Sequence, residues 1–427
     1  MQHGSELSKT KSKHDDDYTR YDFIRFTWSD TMGIPRCKVV PSHAYPGVVK
    51  SGLGMGGNLS VSGADSLPCH YSKFADRGCP DSFAVPQLET WHSCPWSGND
   101  TDSKVAEVLC ELHEKDVNLT PCGYDSRVVC RRMLSSLKEE FGLDVYSALE
   151  YEFAVSENGK APDGSHNCST VSKRLKTAQV LVETIVAEFG NGQFEITLEP
   201  QWGLKAVDNG AILRDCVKST AIDKGMQATF MSNPWGTVQN GGHYNFSLWK
   251  SGQNALSDKS AENGLSELGK FWIAGIMEHA GALTAIGCQT NNCYRRFYVG
   301  GFAPIYVCYA REHRMCMLRI KESQSSGTFF EFRLSGAPAN PYLLVAAILA
   351  AGMDGLRKRI QPPPIGFSEE RQIPRTLEDA LEALDKDCVI KKALGDDIIE
   401  PFFILKRQKD LKVTDPQEQF KFYSDLM

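Results

Sequence analysis

A chain of 427 residues, 41% of them hydrophobic and 23% charged, can bury a large core and has the make-up of an ordinary globular protein of two or three domains. Its formal net charge of -6 offers no basic face for non-specific nucleic-acid binding, so small molecules or other proteins are the expected partners. The 14 cysteines are scattered with no C-x-x-C pair, and the opening residues lack the apolar core of a signal peptide; reduced thiols in a cytoplasmic protein are expected. The longest apolar run, 342–353, falls short of the roughly 20 residues a membrane span requires, and no membrane partner is expected.

Residues 1–19 are charged and aperiodic, which predicts a disordered tail. From Tyr21 the alternation in YDFIRFTWSD predicts a strand, turned at Met32-Gly33 into a second strand, CKVV, that ends at Pro41. Gly52, Gly54 and Gly57 spell G-x-G-x-x-G. A dinucleotide fingerprint must follow a buried strand and open a helix, whereas NLSVSG, which follows here, has strand propensity; the motif fails its own context. Residues 68–96, rich in Pro, Cys, Gly and polar side chains, predict a long irregular connection, with a domain boundary near 105.

Asp125 is placed to cap a helix, SRVVCRRMLSSLKEEFG, closed by Gly142. The stretch SALEYEFAV follows, in which Glu150 and Glu152 sit two apart in an apolar, aromatic run. On a strand both carboxylates project from one face, and like charges so close raise each other's pKa unless a cation lies between them. That pattern suits Mg²⁺ or Mn²⁺ with oxygen ligands; the alternative is an edge strand showing two acids to water. Next, GNGQFEITL predicts a tight turn into a strand, with Glu188 and Glu195 flanking the turn. Residues 206–224 predict a helix stopped by Gly225, MQATFMSNP a strand ended by Pro234, and GGHYNFSLW another strand with His243 beside Gly241 and Gly242, as a ligand or a structural residue.

A helix is expected over 265–283. Beyond it, Arg295, Arg296, Arg311, Arg314, Arg319 and Arg333 stand among apolar residues, where a guanidinium is costly to bury without an anion. They either pair with internal carboxylates or clamp phosphate and carboxylate groups of a ligand. Glu331 and Arg333 repeat the i, i+2 geometry of the first acidic strand. Asn340-Pro341 opens a core helix, and after the QPPPIG linker Thr376 with Asp379 opens an amphipathic one. No internal repeat is present.

The order of these pieces resembles the type I glutamine synthetase superfamily: Glu-x-Glu, Glu-x6-Glu over a G-x-G-Q-x-E turn, G-G-H-x-x-x-S, an arginine-rich strand pair, then E-x-R followed by A-N-P-Y-L. The likeness runs over roughly residues 21–427, including an opening F-I-R-F-x-x-x-D-x-x-G hairpin. It implies an α+β fold, with a small β-grasp domain at 20–105 on a larger catalytic domain at 106–427 whose antiparallel sheet forms a cleft flanked by helices. It also implies a homo-oligomer, a dodecamer of two hexameric rings, with each active site closed by the neighbouring subunit's N-terminal domain.

By this resemblance two or more divalent ions, Mg²⁺ or Mn²⁺, would bind per site. Glu152, Glu188 and Glu195 would hold one, and Glu150, His243 and Glu331 another. Arg314 and Arg296 would be catalytic, Arg296 and Arg333 with Gly241 and Gly242 would bind glutamate, and Arg319, Arg314 and Ser247 would bind ATP. The implied reaction phosphorylates the γ-carboxylate of glutamate and transfers the acyl group to an amine.

Three positions depart from the family's pattern. The acid of its F-D-G-S-S becomes Gly56, the flap glutamate becomes Phe302, and an arginine two before Glu331 becomes Phe329; Asp81 keeps a second ammonium-site acid. Removing acids removes the negative charge that gathers an ammonium ion. Three readings stand: a glutamine synthetase with altered acids, a γ-glutamyl ligase for a larger alkyl or aromatic amine, and a catalytically silent relative resembling lengsin, a structural or chaperone protein associated with intermediate filaments.

Overall fold

Alternation organises the first part of the chain. Phe23–Ser29 (β1) turns Ile24 and Phe26 fully inward, and a turn through Gly33, whose φ of +78° favours glycine, returns the chain as Pro35–Pro41 (β2). Leu53–Gly56 (β3), Asp81–Pro86 (β4), His92–Ser93 (β5) and Val105–Glu114 (β6) complete a sheet of order β2-β1-β6-β4-β3, with β5 on β6. Its two central strands, β1 and β6, run parallel. These and all later features come from a computed structural model that describes residues 18–97, 102–116, 118–157, 168–236, 238–261, 263–323 and 327–425.

Several expectations change here. The connection expected over 68–96 contains a helical turn, Ser72–Ala75, and both β4 and β5. The inward residues of β4 are Ser82, Ala84 and Pro86, so small and polar side chains conceal the strand from a hydropathy reading. NLSVSG is largely a 3-10 turn, Gly57–Val61, and not a strand. Gly57 is required because a Cβ there would stand 2.7 Å from the Ser82 hydroxyl and 2.8 Å from the Phe74 ring. The first sheet continues through β6, past the boundary expected near 105. Most of the expected tail, 1–17, lies outside the described residues, and Tyr18–Arg20 form a short 3-10 turn.

The second sheet carries the acidic motifs. Its strands are Asp144–Ser156 (β7), Val182–Ala187 (β8), Gln193–Leu198 (β9), Gln201–Trp202 (β10), Gln227–Thr229 (β11), Gly242–Lys250 (β12), Gln253–Asn254 (β13), Tyr309–Arg311 (β14), Leu318–Ser323 (β15) and Gly327–Phe332 (β16). The order is β14-β15-β16-β12-β7-β9-β8, antiparallel except at β14–β15. With helices packed on it, the chain is α+β.

Helix starts follow the caps read from sequence. The Asp125 carboxylate accepts from the amides of Arg127 and Val128 to open Ser126–Phe141, and Gly142, at φ +69°, closes it. Asn340 accepts from the amides of Tyr342 and Leu343 to open Pro341–Lys358, and its side-chain amide donates to the carbonyls of Asp30 and Thr31, tying this helix to the β1–β2 turn. The helix expected over 265–283 is two, Glu267–Glu278 and Ala280–Gly287, which meet at His279. The imidazole there is held on both sides, Nδ1 at 2.7 Å from Asp387 and Nε2 at 3.1 Å from Asp354.

A buried ionic junction joins the two sheets. Arg127 donates from Nε and Nη2 to Asp208 at 2.9 Å and from Nη1 to Glu111 of β6 at 2.8 Å, while the Tyr342 hydroxyl donates to Asp208 at 2.8 Å. Asp208 lies on the Leu204–Asp223 helix, which runs beneath β7. At Gly210 the contact is close: a Cβ would fall 2.2 Å from the Leu149 side chain, one residue before Glu150.

Candidate active site

Strand register assembles the acids. Glu150 pairs across to His243 on β12, Glu152 to Glu195 on β9, and Glu331 on β16 to both Asn245 on β12 and Arg319 on β15. Glu188 follows β8 directly. Because side chains alternate, Glu150 and Glu152 share the face that also receives Glu195 and His243. Glu150, Glu152, Glu188, Glu195 and His243 line one cavity of about 520 Å³, with Arg296, Arg314 and Arg333 among its other walls.

Glu150, Glu195 and His243 come closest, with ligand atoms all within 4.8 Å of one another. This trio takes members from both expected ligand sets. The Nδ1 of His243 lies 2.7 Å from Glu150 and 3.6 Å from Glu331, and the Asn245 amide donates to Glu150 at 3.1 Å. Gly241 donates its amide to Glu152 at 2.7 Å, and a Cβ on it would sit 2.6 Å from the His243 Nε2; only glycine leaves the ring that space. Gly242 presses on the Gly336 carbonyl, which a Cβ would approach to 2.9 Å.

Electrostatics divide the acids. Burial, followed by the charges of Glu150, Glu152 and Glu188, pushes Glu195 up to about 9, and burial with Glu152 raises Glu188. Burial also opposes ionisation of Glu150 and Glu331. In Glu150 the hydrogen bond and charge of His243 outweigh it, and in Glu331 the charges of His243 and Arg333 do; both are held below the usual carboxylate range. A crowd of carboxylates in which one holds a proton is a site short of positive charge. Hard oxygen donors and one imidazole are a donor set that Mg²⁺ or Mn²⁺ would accept.

The arginines fall into two groups. Arg319 donates to Glu331 at 3.0 Å and to Glu312, Arg333 donates to Glu331 and from Nε to the Arg314 carbonyl at 2.9 Å, and Lys321 stands 3.7 Å from Glu331. Arg296 is different. It is only 3% exposed, lines the acid cavity, and its Nη1 has no hydrogen-bond partner among the described residues. Glu331, Arg319 and Ser247 do not line that cavity. The Ser247 hydroxyl donates to the Tyr146 carbonyl at 3.3 Å and accepts from the Trp249 indole at 2.9 Å. Gly56 and Asp81 are cross-strand partners on β3 and β4, away from this chain's own cavity. Phe329 packs under the Lys321 ammonium, 5.2 Å from its ring centroid.

Sequence reasoning missed Phe189, Gln193 and Gln239. Gln193 donates to the Gln239 carbonyl at 2.7 Å and to Asn240 at 3.1 Å, bracing the turn over the acids. Phe189 stands 94% exposed beside Glu188 and stacks on Phe302, with centroids 6.0 Å apart and planes at 10°. An aromatic residue set between an acid and a Gly-Asn-Gly turn was its available signal.

Comparison with known proteins agrees with this architecture. The family described as glutamine synthetase, catalytic domain, matches residues 160–423. A glutamine synthetase of Pyrococcus furiosus is 30% identical over 421 residues, covering 91% of this chain and 90% of its own length. One of Methanococcus voltae is 29% identical over 425 residues, covering 91% and 92%. Among solved structures, a novel glutamine synthase homolog superposes with a TM-score of 0.84 at 24% identity, covering 95% of this chain and 99% of that one. Ligand-free GmaS superposes at 0.79 and 26% identity, covering 92% and 94%.

Proposed function

The chain belongs to the glutamine synthetase family, and on that premise we propose that it is an ATP-dependent ligase that activates the γ-carboxylate of glutamate as an acyl phosphate and transfers the acyl group to ammonia or another amine. One observation carries the reading: a buried guanidinium, Arg296, whose Nη1 has no acceptor among the described residues, lines the same cavity as the cluster Glu150, Glu195 and His243. A cation awaiting an anion beside acids awaiting a cation suits a negatively charged substrate bound with metal, which phosphoryl transfer requires.

Arg296 and Arg333 hold the substrate carboxylate, and Arg314 faces the phosphates from the same wall. Arg319 joins it by leaving Glu312, and Ser247 lies toward the nucleotide. Gly241 and Gly242, at the start of β12, would serve glutamate binding indirectly, by leaving room for the His243 ring and the Gly336 carbonyl. Glu152, Glu188 and Glu195 would hold one divalent ion and Glu150, His243 and Glu331 another, and ions there would offset the charge on the phosphate oxygens. The N-terminal unit, expected at 20–105 and carried by β6 to Glu114, acts as the β-grasp domain that closes a neighbour's site, in a cytoplasmic dodecamer of two hexameric rings.

The test is ADP release from ATP, glutamate and Mg²⁺ with a panel of amines. Release that needs both glutamate and an amine, and that Arg296→Ala abolishes, is the expected result. A second reading, the catalytically silent lengsin-like protein associating with intermediate filaments, draws on Glu331: Arg319, Arg333 and Lys321 already surround it, so the protein's own cations neutralise part of the cluster. ATP binding without ADP release from any amine, together with capture of intermediate-filament proteins, would favour that reading.

A further inference from the structure

We propose that the amine this cleft accepts is an arylalkyl amine, and that Phe189 and Phe302 select it. The inference rests on the ligase reading and names the substrate class of that site.

Phe189 and Phe302 are 94% and 61% exposed, yet both line the acid cavity, one from the β8–β9 turn and the other from the loop after Tyr298. Their rings stack nearly parallel, so the two form one aromatic pair on the wall of the cavity that holds the glutamates. Tyr298 and Val299 expose further apolar surface on the same loop, and Tyr298 also lines the cavity. Large aromatic surface left in water is unfavourable, and its position at the mouth of a polar cavity marks where an apolar part of a ligand would rest.

The chemistry sets the ligand's orientation. The amine nitrogen gives its lone pair to the carbonyl carbon of the acyl phosphate; the C–N bond forms, the C–O bond to phosphate breaks, phosphate leaves with that electron pair, and one N–H proton goes to it. The nitrogen must therefore enter to the depth of the arginines and acids. Whatever the nitrogen carries points back out, against Phe189 and Phe302. Among the described residues the acids on the cavity wall are Glu150, Glu152, Glu188 and Glu195, and next to Glu188 the wall offers an incoming amine the aromatic rings of Phe189 and Phe302. Aromatic faces hold aryl groups by stacking and attract an ammonium by cation–π contact.

The experiment titrates the full chain with Mg²⁺ present, using 2-phenylethylamine, methylamine, spermidine and ammonium chloride, with calorimetry for binding and ADP release for chemistry. Wild type should bind 2-phenylethylamine at least about tenfold more tightly than methylamine, the scale expected for burying an aryl group. Phe189→Ala and Phe302→Ala should each cut that ratio several-fold, and Phe302→Tyr should restore it, which a general loss of structure would not do. A ratio near one in wild type, a ratio unchanged in both alanine variants, or preference for spermidine overturns the proposal. ADP release with ammonium alone would overturn it and leave the ligase reading intact. Selective aryl-amine binding with no ADP release from any amine would support the selectivity of the rim and overturn the ligase reading.

Discussion

Replacing Arg127 by alanine should weaken the whole fold by an amount that can be worked out from its partners. Arg127 is 4% exposed and serves two buried carboxylates, Glu111 at 2% and Asp208 at 5%, besides the exposed Glu89 at 3.7 Å. Glu111 keeps a second cation, Arg131, which donates to both its oxygens at 2.8 Å, so its charge stays covered. Among the described residues Asp208 keeps only the Tyr342 hydroxyl. The variant thus contains one uncompensated buried carboxylate, a defect of about 3–5 kcal/mol. With an unfolding entropy of roughly 2.1 cal/mol/K per residue, a chain of 427 residues changes by about 0.9 kcal/mol per degree, so the midpoint should fall by about 3–6 °C in scanning calorimetry. Adding Asp208→Asn removes the stranded charge and should recover about half of the loss, although the same change made alone is destabilising. A fall below about 1 °C, or an additive double variant, would refute the account of this junction.

Mg²⁺ or Mn²⁺ should raise the thermal midpoint, by about 2.7 kcal/mol of stabilisation at a hundredfold excess over Kd, and Glu195→Ala should abolish the response; a response that persists removes Glu195 from the metal site. The response should strengthen as pH rises from 6 to 9, because the proton held on Glu195 must leave before a cation can bind there. Gly210→Ala should overpack Leu149 at a cost of about 1–3 kcal/mol, partly offset by the better helix propensity of alanine, and should weaken the Mg²⁺ response by displacing Glu150; thermal scans with and without metal test both effects.

His279 should make stability depend on pH. Burial alone would lower its pKa, but hydrogen bonds to Asp387 and Asp354 outweigh it and raise the value. Its contribution is therefore complete below about 6.5 and lost as pH rises through the raised value. Asp354 and Asp387 are depressed, Asp354 by Lys358 and His279 against its burial and Asp387 by His279 and its own helix cap, so their contributions are lost as pH falls below about 3.8. His279→Gln should flatten the upper limb of the midpoint–pH curve; an unchanged limb would exclude His279 as its source.

Much of the site was legible because its signal is local. A spacing of two on a strand put Glu150 and Glu152 on one face before any coordinates, and the turn between Glu188 and Glu195 announced itself by its glycines. Caps at Asp125, Asn340 and Thr376 located helix starts for the same reason. What escaped depends on partners distant in sequence. No local pattern tells that Arg319 and Arg333 turn to Glu331 while the Arg296 Nη1 has no partner among the described residues, nor that two distant acids meet His279 where the helices break. Strand β4 stayed hidden because its buried face needs only small side chains against β3 and β6. Phe189 looked like an ordinary aromatic residue until its exposure was known.

The pairing that gathers the acids also limits how the gene can vary. Each of these residues faces the cleft by the alternation of its own strand, so deleting one codon within β7, β9, β12 or β16 would turn every residue beyond it to the opposite face of the sheet. Glutamates would then enter the oily interior and leucines or phenylalanines would enter the water. Viable length changes are therefore confined to the segments between strands, and the second sheet can drift in composition far more freely than in spacing.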